Sequence, residues 1–494
     1  MNRSKMALGE NLIERGKKRI KELREKGINP YPYKFDKTHS SVEIKEKYKD
    51  IANEEFSKEV VKFAGRVLTR RVLGRIAFIT LRDEFGDMQV VFKRDTTKDF
   101  ELIKMIDLGD FIGVEGKVSR TRAGEISIFV DTFEILAKTL RGLPEKYHGI
   151  TDPDLRQRYR YLDLIMNLST REVFRKRHEI IKYIRQFLFE RGFIELETPV
   201  LQAVYGGANA RPFITHHNAL DRDLFLRISL ELYLKRLIIG GYEKVFEIGK
   251  NFRNEGMDTM HNPEFTMIEL YQAYADYNDM MELTETLIKA LAKDVIKKDK
   301  IMFKGHEIDL TKPFEKLTMY DAIKKYANYD VEKMSLEELK SIVDSLDFEL
   351  VGEISKGALI NLIFEELVQD KLIQPTFILD YPKEVSPLTK IHRSKEGLTE
   401  RFELFIAGEE FANAYSELND PIDQRERFEE QERNRKLGDE EAPPTDKDFL
   451  VALEHGMPPT GGLGIGIDRL VMFLTEQDSI RDVIPFVVLR ELDE

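Results

Sequence analysis

The sequence predicts an α+β protein in which a small five-stranded barrel precedes a larger part made of strands and helices. Three observations carry that expectation. Residues 60–136 fall into short alternating apolar runs broken by glycines, the period-2 texture of half-buried strands. Residues 246–271 hold two further alternating runs around a polar, glycine-containing turn, a hairpin with charges at alternate positions and hence one polar face. The stretch TGGLGIGIDRLVMFLT at 460–475 alternates glycines and then changes to helical periodicity.

Composition bounds the rest. At 494 residues the chain exceeds one ordinary core, so roughly two to four domains are expected. With 42% apolar and 34% charged residues it fits a globular protein with a heavily charged surface. The lack of cysteine excludes disulfides, thiolate metal sites and cysteine nucleophiles. No signal-like apolar core opens the chain and no apolar span reaches about 18 residues, so a cytoplasmic location with no membrane partner is expected. A net charge of −12 argues against wholesale coating of nucleic acid but leaves room for a local basic patch.

Taken in order, residues 1–59 read as an N-terminal helical extension. A helix over 1–27 stops at Gly27 and Asn29-Pro30-Tyr31-Pro32, and a second one lies near 42–56. Residues 60–139 supply about five strands, with a helix at 100–108 between the third and fourth. That is the pattern of a Greek-key barrel of the oligonucleotide-binding type. Such barrels bind single strands through aromatic and basic residues on one face. Arg71, Phe78, Gln89 and Glu125 offer a cation, a stacking ring, an amide and an acceptor. Each alone reads more readily as an ordinary strand residue; their joint occurrence favours binding.

Residues 140–165 read as a linker that turns basic towards its end, and 166–494 as one further domain. Its first helix carries a stripe of Val173, Ile180, Ile181, Ile184, Phe187 and Leu188 and stops at Gly192. Then FIELETPVL reads as a strand running into Pro199, FITHHNAL and 223–228 as strands, and 229–239 as a helix opened by a serine cap, with Glu231 in its first turn. Residues from about 277 to 400 read as a helical insertion. Strands at 401–407 and 411–415 and a charged helix at 418–436 precede the glycine strand.

The chemistry concentrates in three places. Gly462, Gly464 and Gly466 share one face of a strand, flat enough for a planar ring. Small residues for close packing are the plainer explanation, but three alternate glycines weaken a strand. Arg469 stands close enough to cover such a ring or meet a phosphate. In the hairpin, Arg253 offers a fork for phosphate. Glu255 suits an exocyclic amine, His261 beside Asn262 the outer phosphates, and Phe265 a base. Glu410 and Glu417, flanking a strand, offer two carboxylates to Mg²⁺, which prefers oxygen and keeps several waters. Together they describe an ATP site of scattered residues rather than a phosphate-cradling loop.

FRNEG…HNPEF resembles the second signature motif of the class II aminoacyl-tRNA synthetases, GLGIGIDRL the third and GFIELETPVL the first. The barrel followed by RQRYRYLDL is similar to the aspartate, asparagine and lysine subgroup. GGANARPFITHHNALD, ELYLKRL, HNPEFTMIELYQAYADY and NAYSELNDP resemble its lysine branch. The resemblance implies an antiparallel-sheet catalytic domain behind an OB-fold anticodon-binding barrel. It also implies a homodimer joined around Pro199, Mg²⁺ as cofactor, and ATP, L-lysine and the tRNA for lysine as partners. By resemblance, Glu269 pairs with the side-chain ammonium, and Glu231 with the Gly207 backbone holds the α-amino end. Gly466 belongs to the ATP site, Arg469 stacks on adenine opposite Phe265, and Arg253, Glu417 and Arg469 serve catalysis. Physical chemistry agrees on the amino acid: Glu269, Tyr271, Asn413 and Tyr415 suit an ammonium tip, which needs a carboxylate when buried. The rivals are an aspartate or asparagine enzyme and a non-catalytic tRNA-binding paralogue. The paralogue would be expected to lack Arg253, Glu417 or Arg469, and all three are present.

Overall fold

A computed structural model describes residues 3–143, 152–346, 354–439 and 441–490 and divides into two compact units, Met1–Ser169 and Thr170–Glu494. Among the described residues no helix is long and apolar enough to cross a membrane.

In the first unit five strands, Phe56–Leu73, Ile76–Arg82, Asp87–Lys93, Phe111–Arg120 and Ile126–Ala137, close into a barrel in the order first, second, third, fifth, fourth. The third and fifth run parallel, which is what closes the ring. Alternation fills it: Val61, Phe63, Ile79, Leu81, Val90 and Val114 point inward and are fully buried. Gly116 lies at a bulge, and a side chain there would collide with the Phe129 carbonyl. The element at 100–108 is a 3₁₀ turn, Phe100–Met105; Leu108 is exposed, so no apolar stripe favours another turn. The N-terminal helix is Arg3–Glu25, followed by a left-handed Gly27. The second helix is only Ser41–Lys47, started by a Ser40–Glu43 capping box. It cannot reach 56, because Phe56 already pairs with Ser119 in the barrel. The basic end of the expected linker is helical, Pro153–Arg158 and Arg160–Met166, with Arg156 and Arg160 both paired to the buried Asp163. The middle of that linker lies outside the described residues.

The second unit is organised by an eight-stranded sheet. Its order is Glu315–Thr318, Thr376–Leu379, Arg401–Ile406, Glu409–Ser416, Thr460–Gly466, Glu264–Ala273, Lys244–Phe252 and Ile194–Glu195. The six inner strands pair antiparallel, and each outermost strand joins in parallel. One face is the core: Ile268, Leu270, Phe402, Leu404, Ala414, Leu463 and Ile465 pack there with Ile180, Ile184, Met280 and Leu470 from the flanking helices. Because side chains alternate along a strand, residues 267, 269, 271, 401, 403, 413, 415, 462, 464 and 466 turn to the other face.

Local expectations shift at several points. FIELETPVL forms two short pieces, Ile194–Glu195 and Leu201–Gln202, with Pro199 between them, as a residue without an amide hydrogen cannot continue a ladder. The helix expected from Ser229 begins at Glu231, with Leu230 in the cap position. Ser229 still accepts from the Glu231 amide at 3.1 Å. The region read as a helical insertion contributes the two strands at one edge of the sheet besides its helices. The strand expected from 411 begins at Glu409, after a two-residue turn with left-handed Ala407 and Gly408. One irregularity matters below. Glu403 pairs with Asn413 and Leu404 with Ala412, but Phe405 pairs with Glu410, so Phe411 is a bulge.

Candidate active site

The polar face of the sheet forms the floor of a cavity of about 450 Å³. The glycine strand is its centre line. Gly462 lies between Tyr415 and Tyr271, Gly464 between Asn413 and Glu269, and Gly466 opposite Met267. Each glycine therefore removes a side chain between two side-chain-bearing strands and opens a trough. Gly462 is the tightest point, where a Cβ would overlap Glu417 Oε1 and sit 2.6 Å from Tyr271 Cε1. Gly462→Ala is expected to raise the amino-acid KM about tenfold with little effect on the ATP KM, since overpacking a filled site costs about 1–3 kcal/mol; steady-state kinetics check it.

All the residues assigned to ATP, lysine and metal line this one cavity. At the Gly466 end, Arg253 follows the first strand of the hairpin, and its amide donates to the Pro263 carbonyl at 2.9 Å, closing the loop. Its guanidinium lies 5.2 Å from the centre of the Phe265 ring, and its buried Nε has no protein partner. Arg469 donates to the Glu410 carbonyl at 2.8 Å and lies 2.8 Å from His261 Nε2. His261 Nδ1 faces Asp258, so the network assigns the ring proton to Nδ1 and makes Nε2 the acceptor from Arg469. Asn262 donates to the Glu264 carbonyl at 2.6 Å, a loop-fastening role. Glu255 is exposed on the loop. Gly466 caps the helix Ile467–Leu474, whose Asp468 accepts from the Thr266 amide at 2.6 Å and pairs with Arg177.

At the Gly462 end stand three buried carboxylates, Glu231, Glu269 and Glu417. Glu269 is fully engaged: Oε1 accepts from the Ser229 hydroxyl at 2.8 Å and the Leu230 amide at 3.0 Å, and Oε2 from the Tyr271 hydroxyl at 3.0 Å. Burial, reinforced by Glu231, pushes its carboxyl up to about 7. Glu417 touches the buried Lys235 ammonium and has its oxygens otherwise unpartnered. Burial, opposed by Lys235 and reinforced by Glu231 and Glu269, pushes it up to about 8. Glu231 meets the same ammonium. Gly207, at φ 86°, packs its backbone where a Cβ would be 3.0 Å from that of Glu231.

The structure corrects the metal assignment. Glu417 lies over Gly462 and Glu410 beside Arg469 at the Gly466 end. Those glycines stand four positions apart on the strand, about 13 Å at the usual rise, so Glu410 and Glu417 cannot share an ion. The carboxylate that faces Glu410 is Glu403: burial and then Glu403 push Glu410 up to about 7, against Arg469, Arg401 and Arg253. The bulge at Phe411 is what brings Glu410 onto this face. Adjacent carboxylates, one of them holding its proton near neutrality, fit a divalent cation that completes its shell with water and phosphate oxygens. Among the described residues no group of three or more metal-ligating side chains gathers.

Four contributors were not picked out from the sequence: Ser229, Lys235, Arg401 and Glu403. Arg401 binds Glu403 and the Val385 carbonyl and lies 4.4 Å from the Tyr381 ring centre. The available signals were the four-residue spacing of Glu231 and Lys235 and the alternation of Arg401 with Glu403.

On the barrel, Arg71 pairs directly with Phe78, and Gln89 lies opposite Thr80 and Ser127. These three occupy neighbouring positions on the outer face of consecutive strands. Glu125 sits in the turn before the last strand, exposed, and its carbonyl accepts from Ser127 at 3.2 Å.

A flat trough floored by glycines, cationic at one end and carboxylate-rich at the other, on an antiparallel sheet, defines a class II tRNA synthetase. The chain belongs to that family: residues 152–490 match "tRNA synthetases class II (D, K and N)" and residues 61–136 match an "OB-fold nucleic acid binding domain". Within it, the chain is similar to proteins named lysine–tRNA ligase. That of Clostridium novyi (strain NT) is 51% identical over 97% of this chain and 94% of its own length. That of Thermoanaerobacter sp. (strain X514) is 53% identical over 97% and 96%. That of Methanoculleus marisnigri is 53% identical over 95% and 93%.

Proposed function

We propose that the chain attaches L-lysine to its tRNA in two steps, through a lysyl-adenylate formed from ATP. The observation that carries this is the charge at the Gly462 end: Glu231, Glu269 and Glu417 are buried together, and the one lysine ammonium among them, Lys235, touches Glu231 and Glu417. Lysine brings the two missing ammonium groups. Aspartate would add a buried carboxylate to that cluster, at a cost of several kcal/mol, and asparagine would bring no second cation to Glu417 beside Lys235. Glu417 has free acceptor capacity and suits the side-chain ammonium. Glu269, committed to three protein hydrogen bonds, orients Tyr271 and the start of the Glu231 helix instead.

The amino-acid carboxylate then attacks the α-phosphorus in line and pyrophosphate leaves; the adenylate is next transferred to the terminal ribose of tRNA. No enzyme nucleophile is required, so the residues act by positioning and by neutralising charge. Arg253 faces the α-phosphate and the lysine carboxylate, Phe265 and Arg469 hold the adenine from opposite sides, and Glu255 takes its amino group. His261 reaches the outer phosphates while keeping Arg469 in line. Glu403 and Glu410 would hold Mg²⁺, which when bound draws off the charge of the departing phosphates. Exposed Phe189, Ile194, Val200 and Leu201 succeed one another around Pro199, which supports a homodimer joined there. A cytoplasmic location completes the reading.

Lysine-, aspartate- and asparagine-dependent pyrophosphate exchange tests it. Exchange with lysine alone is expected, and exchange driven by aspartate but not lysine refutes it. Phe78→Ala on the barrel face is expected to weaken tRNA charging about tenfold, in keeping with the loss of one base–aromatic stack, while leaving exchange intact. Loss of both would make Phe78 structural.

The raised carboxylates add a pH signature. Their folded values, about 7 for Glu269 and about 8 for Glu417, lie above the unfolded value. Their contribution to the stability of the ligand-free protein is therefore fully present below the ordinary carboxyl range and lost as pH rises through these values. Bound lysine favours the ionised forms, so the lysine-induced rise in Tm is expected to be larger at about pH 8.5 than at about pH 6. Thermal unfolding with and without lysine decides; an equal or smaller shift at the higher pH contradicts it.

A further inference from the structure

Lys235 is the ammonium that touches both Glu231 and Glu417 at the Gly462 end, and nothing in the activation chemistry requires it. Its side chain is completely buried, although a lysine at a mid-helix position ordinarily reaches solvent. It projects from the helix Glu231–Ile239 one turn beyond Glu231, and its ammonium meets both Glu231 Oε1 and Glu417 Oε2. Those two carboxylates come from separate elements: Glu231 from the helix, Glu417 from the end of the Glu409–Ser416 strand. Arg401, the other buried cation nearby, is taken by Glu403. Glu269 is held by Ser229, Leu230 and Tyr271 instead. The tie between helix and strand at this end is therefore one ammonium ion.

We propose that Lys235 is a positioning residue that clamps Glu231 to Glu417, fixing the spacing of the two carboxylates that receive the substrate's ammonium groups and so the chain length of the diamino acid accepted. This rests on the lysine reading above. Two consequences follow from the geometry. Lys235 neutralises one of three carboxylates, leaving capacity for two further positive charges, the number a diamino acid brings. It also holds the acceptors apart from the substrate's side, so a diamine one methylene shorter cannot reach both of them.

The test is amino-acid-dependent pyrophosphate exchange by the full chain, comparing lysine with ornithine in wild type, Lys235→Met and Lys235→Arg. In Lys235→Met the lysine KM is expected to rise about 30-fold with the ATP KM within about twofold, the scale of removing one partner from a buried charge pair. The lysine-to-ornithine ratio of kcat/KM is expected to fall about tenfold, since one methylene is otherwise worth about 10–200-fold. In a Glu231→Gln background the same substitution is expected to cost at least about fivefold less, because interacting residues are not additive. A lysine KM unchanged within about threefold overturns the proposal, as does an equal loss for lysine and ornithine or an effect undiminished by Glu231→Gln. Should Lys235→Met fail to fold, Lys235→Arg carries the test. It keeps the charge but changes its shape, so the selectivity ratio is expected to fall, and an unaltered ratio overturns the proposal. Failure of the lysine reading would appear in the wild type as absent lysine-dependent exchange. Failure of the clamp would appear only in the variants.

Discussion

Glu417→Gln is expected to raise the lysine KM in pyrophosphate exchange about 100-fold while leaving the ATP KM within about twofold, the scale of losing one member of a buried charged pair. The reason is local. Glu417 is 1% exposed and touches Lys235, with both oxygens otherwise unpartnered. Its capacity as an acceptor is spare in the ligand-free protein, and burial raises its carboxyl for want of a second cation. An amide there offers no charge and turns a donor towards the incoming ammonium. Glu269→Gln is expected to cost less, because the oxygens of Glu269 already serve Ser229, Leu230 and Tyr271 and an amide retains one acceptor. Equal effects of Glu417→Gln on lysine and ATP, or a larger effect of Glu269→Gln, would return the ammonium to Glu269.

Arg253→Lys is expected to lower kcat for exchange about 100-fold with a smaller change in the lysine KM, as for the loss of one charge-stabilising donor. Arg253 stacks 5.2 Å from the Phe265 ring centre, and its buried Nε lacks any protein partner. A planar fork can meet two oxygens and keep its face on the ring, whereas an ammonium is a point charge. Charge alone is thus retained in the variant, and geometry is what is removed. A kcat within about threefold of wild type would mean that the fork is not used.

The two halves of the site were unequally visible in the sequence. The hairpin and the glycine strand announce themselves, because alternation maps directly onto one face of a strand and because Arg253, Phe265 and Arg469 are residue types that serve flat anionic ligands. The pairing of Glu410 with Glu417 failed for a physical reason. Where an acid points along a strand depends on every bulge before it, and the extra residue at Phe411 has no distinctive side chain. Glu403 was passed over for the same reason: its partner across the sheet is set by register. Lys235 is not legible because a lysine in ELYLKRL belongs on a solvated helix face, and its partner outside the helix, Glu417, lies far away in sequence. The helix expected from Ser229 starts two residues later, although the Ser229 hydroxyl both donates to Glu269 and accepts from the Glu231 amide.

The bulge at Phe411 gives the Glu409–Ser416 strand two phases. Asn413, Tyr415 and Glu417 follow one alternation, and Glu410 is brought to the same side by a separate one. Substitutions at 415 and 417 leave the register at the bulge, and so the side on which Glu410 stands, unchanged, whereas Asn413 donates to Glu403 at 3.3 Å and touches the phosphate end as well. Ironing out the bulge without removing a residue, so that Phe411 paired with Phe405, would instead turn Glu410 into the hydrophobic core while leaving the alternation of 413, 415 and 417 intact. The strand thus carries two alternations joined at one residue, and a scaffold of that kind can vary the residues at 415 and 417 while keeping Glu410 on the face it needs.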